Sequence, residues 1–107
     1  MLSQLPDDQI EALLSEHELV RYTSHSIVDK SRYKEEVLKI RSHGVGYDIE
    51  EYIKAYTCVA IPVSDYAKNI QAAVWALGHK SQMTKKKLAR VAAYLKEIGK
   101  EINLRLQ

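Results

Sequence analysis

Two apolar segments separated by a short polar stretch constrain this chain more than any other feature of it. Residues 56–63 place Val59, Ile61 and Val63 on one alternating face, and residues 70–77 read Ile-Gln-Ala-Ala-Val-Trp-Ala-Leu. Runs of this length and composition are strands. Strands joined by a turn as short as residues 65–69 pair as an antiparallel hairpin. Pro62 removes a ladder donor, which places the end of the first strand at an edge or a bend, and Gly78 closes the second. A lone hairpin is marginal in water. The sheet therefore needs a further strand, from residues 20–28, from residues 45–49, from a partner chain or from a segment outside this sequence.

The longest helical pattern lies at the C-terminal end. From Lys85 to about Leu106, the residues Leu88, Val91, Ala92, Leu95, Ile98, Gly99 and Ile102 follow helical spacing behind Thr84 as a cap. This helix covers the sheet, with Leu95 and Ile98 read as core. Pro6 opens a helix over 6–16, with Asp7 and Asp8 near its positive end and Ile10, Leu13 and Leu14 on one face. Residues 22–28 read as extended. Asp29 then caps a helix carrying Tyr33, Val37, Leu38 and Arg41, stopped by Gly44 and reinforced by Gly46. The order predicts an α+β domain, an antiparallel sheet packed with helices.

At 107 residues, with 46% hydrophobic and 28% charged side chains, the chain makes one small domain. Its apolar runs are shorter than the roughly 20 residues a spanning helix needs. One cysteine allows neither an internal disulfide nor a multi-cysteine metal site, and no leader pattern opens the chain, so the cytoplasm is the default compartment. Charge is uneven. Residues 1–53 carry 6 basic and 11 acidic side chains, and residues 54–107 carry 10 and 3. Such asymmetry suits association of copies, an acidic partner, or simply the solvated face of a long helix.

Few residues point to reaction chemistry. Cys58, flanked by Val59, Ala60 and Ile61, reads as a core thiol whose pKa burial raises, hence inert. A nucleophile would need a histidine base, and His17, His25, His43 and His79 form no catalytic signature and no i, i+4 metal pair. Neither an enzyme nor a cofactor is expected. Asp48, Glu50 and Glu51 follow two glycines, where carboxylates bind a cation, accept hydrogen bonds from a ligand, or cap a turn. Lys85, Lys86 and Lys87 oppose the dipole at the start of the last helix. They answer either to an acidic partner or to solvent, because only Arg90 and Tyr94 accompany them as nucleic-acid contacts.

Residues 44–65 carry a pattern with more specificity. A small residue (Gly44) is followed by an acid four on (Asp48), a glutamate three further (Glu51) and a cysteine seven after that (Cys58), leading into Val59, Ala60, Val63 and Asp65. This resembles the signature of the effector-binding domain of IclR-type bacterial transcription regulators. Ser64 departs from it, since the family usually has an aromatic residue or histidine there. The likeness extends to Leu5-Pro6-Asp7-Asp8, to Tyr22-Thr23-Ser24-His25-Ser26-Ile27 and to Met83-Thr84, and so covers nearly the whole chain.

The resemblance implies a partial profilin/GAF-like effector domain, about its C-terminal two-thirds. The family's winged helix-turn-helix, its linker helix and the first strands of the effector domain have no counterpart in the sequence. It also implies that Asp48 and Cys58 line a pocket for small, often carboxylate-bearing metabolites. In the family the last strand commonly carries Ser-x-Ser before a glycine. Here Trp75 and Leu77 stand at those positions before Gly78, which would disfavour small 2-oxo acids and favour a flatter, more apolar ligand, or fill the pocket outright. The partners implied are a metabolite effector, further copies of the chain, and DNA only through a winged-helix domain absent from this sequence; no membrane is implied.

Overall fold

The computed structural model describes residues 2–64 and 70–105. A short 3-10 turn over Leu2–Gln4 leads into α1 (Asp7–Glu16) and α2 (Lys30–His43); β1 (Gly46–Ile49), β2 (Tyr56–Ser64) and β3 (Ile70–His79) follow, and α3 (Lys85–Arg105) ends the fold. The strands form one antiparallel sheet in the order β1-β2-β3. The fold is the expected α+β arrangement of helices on an antiparallel sheet.

Local chemistry sets the helix boundaries. Pro6 is extended and sits just before α1, where its missing N–H costs nothing. Asp29 Oδ1 accepts from the N–H groups of Ser31 and Arg32, which caps α2. Gly44 ends α2 in the left-handed conformation at φ 74°, and its N–H donates to Ile40 O at 2.7 Å. Thr84 Oγ1 accepts from Lys87 N at the start of α3.

The third strand the hairpin required is β1, from the second of the segments considered. Residues 22–28, expected to be extended, form a loop instead. Hydroxyls decide this: Ser26 Oγ accepts from the N–H groups of Tyr22 and Thr23, and Thr23 Oγ1 accepts from His25 N. Backbone groups satisfied this way are not free for a ladder. Two further expectations are corrected. β2 is the central strand and Pro62 lies within it; β1 has already ended opposite Ala60, so on that side no donor is missed. Gly78 does not close β3, which continues through His79 and pairs it with Tyr56. The turn at 65–69, Asp65 of the signature and Leu106 lie outside the described residues.

The main core lies between the sheet and α3. Val59, Ile61 and Val63 are buried with Val45, Met83, Ala92 and Leu95, while Leu88, Val91 and Ile102 pack at its margin. Gly99 lets the helix approach closely, because a Cβ there would lie 2.5 Å from Ile61 Cδ1. Ile98, expected in this core, is instead 45% exposed, since it lies on the flank of the α3 face that Leu95 and Gly99 turn to the sheet. A second, smaller core joins Ile10 and Leu14 of α1 to Val37 of α2. The domain measures 39 × 38 × 17 Å, a slab in which α3 covers only one face of the sheet.

Candidate functional site

The other sheet face carries the chemistry. Strand alternation sends Val59, Ile61 and Val63 toward α3, so Cys58, Ala60 and Pro62 face the opposite way. The register places Asp48 beside Cys58, Cys58 beside Leu77, and Ala60 beside Trp75. Asp48, Cys58, Trp75 and Leu77 therefore share one face and together line a hollow of about 360 Å³. Cys58 is half-buried there and not part of the core, the opposite of what its apolar neighbours suggested.

The remaining walls are Tyr52, Ile53 and Tyr56, which sequence reasoning did not single out. Their signal was present as three large apolar side chains in and beside a connecting loop. Trp75 and Leu77 are 59% and 51% exposed, so they line the hollow without filling it. A second depression of about 220 Å³ lies on the other side of Asp48 and Cys58, bounded by Ser3, Ile40, Gly46, Pro62 and Ala73.

The loop that holds Tyr52 and Ile53 is fastened at several points. Glu50 and Ala55 adopt φ of 57° and 71°. Glu50 Oε1 accepts from Ala55 N at 2.8 Å, and the same carboxylate lies 3.8 Å from both His25 and Lys80. The Ala55 hydrogen bond, followed by the Lys80 charge, holds the Glu50 carboxyl below its usual range. Thr23 and Ser26 donate their hydroxyls to the carbonyls of Glu50 and Glu51, tying the 22–28 loop to the wall.

The three acids divide their roles. Asp48 Oδ1 accepts from Glu51 N at 2.8 Å and Glu51 Oε2 from Ile49 N at 3.4 Å, so turn capping occupies part of each carboxylate. Burial holds the Glu51 carboxyl above the usual range. Burial also raises the Cys58 thiol, with the Asp48 charge a second contribution, so a thiolate is disfavoured. Among the described residues no cluster of three His, Cys, Asp or Glu could hold a metal ion. Lys85, Lys86 and Lys87 are exposed at the start of α3, away from this face. No described helix is long and apolar enough to cross a membrane. What the site offers is a mostly apolar hollow with one carboxylate and one neutral thiol on its floor.

Comparison with known proteins gives a consistent answer. The family model for the bacterial transcriptional regulator IclR C-terminal domain matches residues 1–104. The acetate operon repressor of Salmonella typhimurium is 29% identical over 103 residues, 96% of this chain but only 38% of the repressor. The crystal structure of the Thermotoga maritima IclR superposes with a TM-score of 0.90 at 30% identity, over 98% of this chain and 42% of that one. An inducer-binding domain of the PobR transcription factor from Acinetobacter, a double mutant in complex with 3-hydroxybenzoic acid, superposes with a TM-score of 0.89 at 20% identity. It covers 95% of this chain and 61% of that domain.

Proposed function

The chain belongs to the bacterial transcriptional regulator IclR C-terminal family, and on that premise we propose that it is an effector-binding portion of such a regulator, taking its ligand in the hollow at Asp48 and Cys58. The observation that carries the reading is that Asp48, Cys58, Trp75 and Leu77, separated by up to 29 positions in sequence, line one open hollow on the uncovered sheet face. A pocket of a few hundred cubic ångströms with apolar walls and few polar groups suits a small molecule.

The side chains define the ligand class. The Trp75 indole and the rings of Tyr52 and Tyr56 present flat apolar surface, which favours a planar ligand. Asp48 has one carboxylate oxygen engaged by Glu51 N, leaving its other lone pairs for a ligand donor. The ligand is a small aromatic or similarly flat molecule whose hydroxyl donates to Asp48. A carboxylate on the same ligand points away from Asp48, because like charges at close range repel. The 3-hydroxybenzoic acid in the Acinetobacter domain has this combination of groups and supports the reading.

The match to 61% of that inducer-binding domain likewise supports placing this chain as about the C-terminal two-thirds of a whole effector domain. DNA contact belongs to a winged-helix domain elsewhere in such a regulator. Between α1 and α2 the described chain runs through residues 17–29, longer than the tight turn of a helix-turn-helix. The relatives are regulators and no catalytic role is proposed.

Titration of the chain with 3- and 4-hydroxybenzoate, followed by Trp75 fluorescence and calorimetry, tests this. The expected result is saturable quenching at micromolar to millimolar ligand, lost in Asp48→Ala, with the calorimetric signal lost in both Asp48→Ala and Trp75→Ala. Tighter binding of pyruvate or glyoxylate, or no response to any of these acids, overturns it.

A further inference from the structure

A separate hollow of about 310 Å³ lies beside the loop after β1, and none of Asp48, Cys58, Trp75 and Leu77 lines it. Its walls all come from residues 18–52: the connection between α1 and α2, α2 itself, and the 50–55 loop. Three tyrosines converge on it. Tyr22 and Tyr52 are both more than half exposed and meet edge to face, with ring centroids 4.8 Å apart and planes at 67°. In such a pair the ring that presents its edge keeps both of its own faces free of the contact. Tyr33 of α2, half-buried, is the third.

The charge lining the hollow is all of one sign. Glu18 and Glu51 contribute to its walls, and no Lys, Arg or His does. Glu18 is exposed at the rim, with Lys30 3.7 Å away. Glu51 is half-buried, and among the described residues no ion pair engages it. Burial holds its carboxyl above the usual range, and its charge is the second contribution, after burial, that raises the Tyr33 phenol. A half-buried carboxylate without a counter-ion, set among aromatic faces, is complementary to a cation.

We propose that this hollow is an aromatic cage for the methylated ammonium group of a free small molecule, with the Tyr22, Tyr33 and Tyr52 rings around the methyls and Glu51 as the counter-charge. The walls choose among cations. A primary ammonium brings three N–H donors that need acceptors, and Leu19, Val20 and Ile27 supply none from their side chains. The Ser26 hydroxyl is already committed, since it accepts from the N–H groups of Tyr22 and Thr23 and donates to Glu51 O. A quaternary ammonium has no donor to satisfy, and its charge is spread over methyl groups that suit rings and aliphatic walls. A carboxylate on the same ligand is repelled by Glu18 and Glu51, so choline should bind better than glycine betaine. Tyr52 is the one side chain shared with the hollow at Asp48 and Cys58, and the cage stands whether or not that hollow takes an effector.

Calorimetric titration of the chain with choline tests the proposal, against tetramethylammonium, glycine betaine and the uncharged isostere of choline that has carbon in place of nitrogen. Choline and tetramethylammonium should bind saturably in the micromolar to millimolar range, betaine more weakly, and the isostere should give no heat. Tyr22→Leu keeps apolar bulk at an exposed position but removes the ring face, and should weaken choline from about twofold to about thirtyfold. Glu51→Gln keeps an acceptor for Ile49 N and should weaken it at least several-fold at low salt. Far-UV circular dichroism is the folding control, and the isostere comparison needs no variant. Phosphatidylcholine vesicles at equal head-group concentration separate a lipid from a free ligand. Binding to the vesicles alone overturns the proposal, as does a choline titration without saturation at tens of millimolar. So does an isostere that binds as tightly as choline, or a folded variant of either kind with wild-type affinity.

Discussion

Asp48 and Cys58 stand directly across from each other in the β1–β2 register, a carboxylate beside a thiol on the sheet face that α3 leaves uncovered. Burial first and the Asp48 charge second keep that thiol protonated. Iodoacetamide should therefore alkylate Cys58 more slowly at pH 7 than it does a free cysteine, with the rate still rising above pH 9. Asp48→Asn removes the smaller contribution and should speed alkylation several-fold at most. Fast alkylation of the wild type at pH 7 would contradict this assignment of the site's electrostatics.

The same pair shows how much of the site was legible. Alternation alone put Val59, Ile61 and Val63 on one face of β2, and that necessarily put Cys58 on the other. Reading Cys58 by the character of its neighbours sent it to the core, whereas strand parity decides its side. Trp75 and Leu77 could be paired with Cys58 only through the register, which the hairpin implied and the fold shows. Tyr52 and Ile53 were not legible, because their place depends on the Glu50 and Ala55 backbone and on the Thr23 and Ser26 hydroxyls, 27 and 25 residues from the carbonyls they bond. The helix caps at Asp29 and Gly44 were legible because each is a local contest between a side chain or an αL residue and water.

Helical periodicity was less discriminating within α3, and a pair of truncations checks the correction. Leu95 is 7% exposed in the main core, so Leu95→Ala should cost about 2 to 5 kcal/mol. Ile98→Ala, at an exposed position, should cost less than about 1 kcal/mol. Urea denaturation of the two variants checks both; equal losses would place Ile98 in a core of its own, against a partner.

Arg41 fastens the N-terminal segment to α2. Its Nε donates to Ser3 O at 2.8 Å, one Nη to Leu5 O at 2.7 Å and the other to Asp7 Oδ1 at 2.6 Å. The hydrogen bond and then the charge of Arg41 lower the Asp7 pKa. A carboxyl lowered in the folded state adds stability above its unfolded pKa, and that contribution disappears as pH falls through the folded value. Asp7→Asn should therefore flatten the acid limb of the stability profile below the ordinary carboxylate range and leave its neutral-to-basic limb parallel to wild type. Arg41→Ala should be the more damaging change, because it also strands two carbonyls. Thermal melts from pH 2 to 8 distinguish the two variants.

The proposed ligand preference turns on Trp75 and Leu77, which stand where the resemblance would place two serines, and restoring the hydroxyls should reverse it. Trp75 and Leu77 lie on one face of β3, opposite Ala60 and Cys58, and present an indole and an isobutyl group to the hollow. Both are more than half exposed, so Trp75→Ser with Leu77→Ser removes little packing and should leave the melting temperature within a few degrees. The double variant gains two hydroxyl donors, each contributing roughly 0.5 to 1.5 kcal/mol net to a bound oxo acid, or 1.5 to 3 toward its charge. Affinity for pyruvate or glyoxylate should rise by at least several-fold, with a ceiling of about 10⁴-fold if both hydroxyls reach the charge, while hydroxybenzoate, deprived of the indole face, should weaken. Calorimetry on wild type and double variant reads both changes together. Unchanged preference would mean that this face of β3 does not select the ligand.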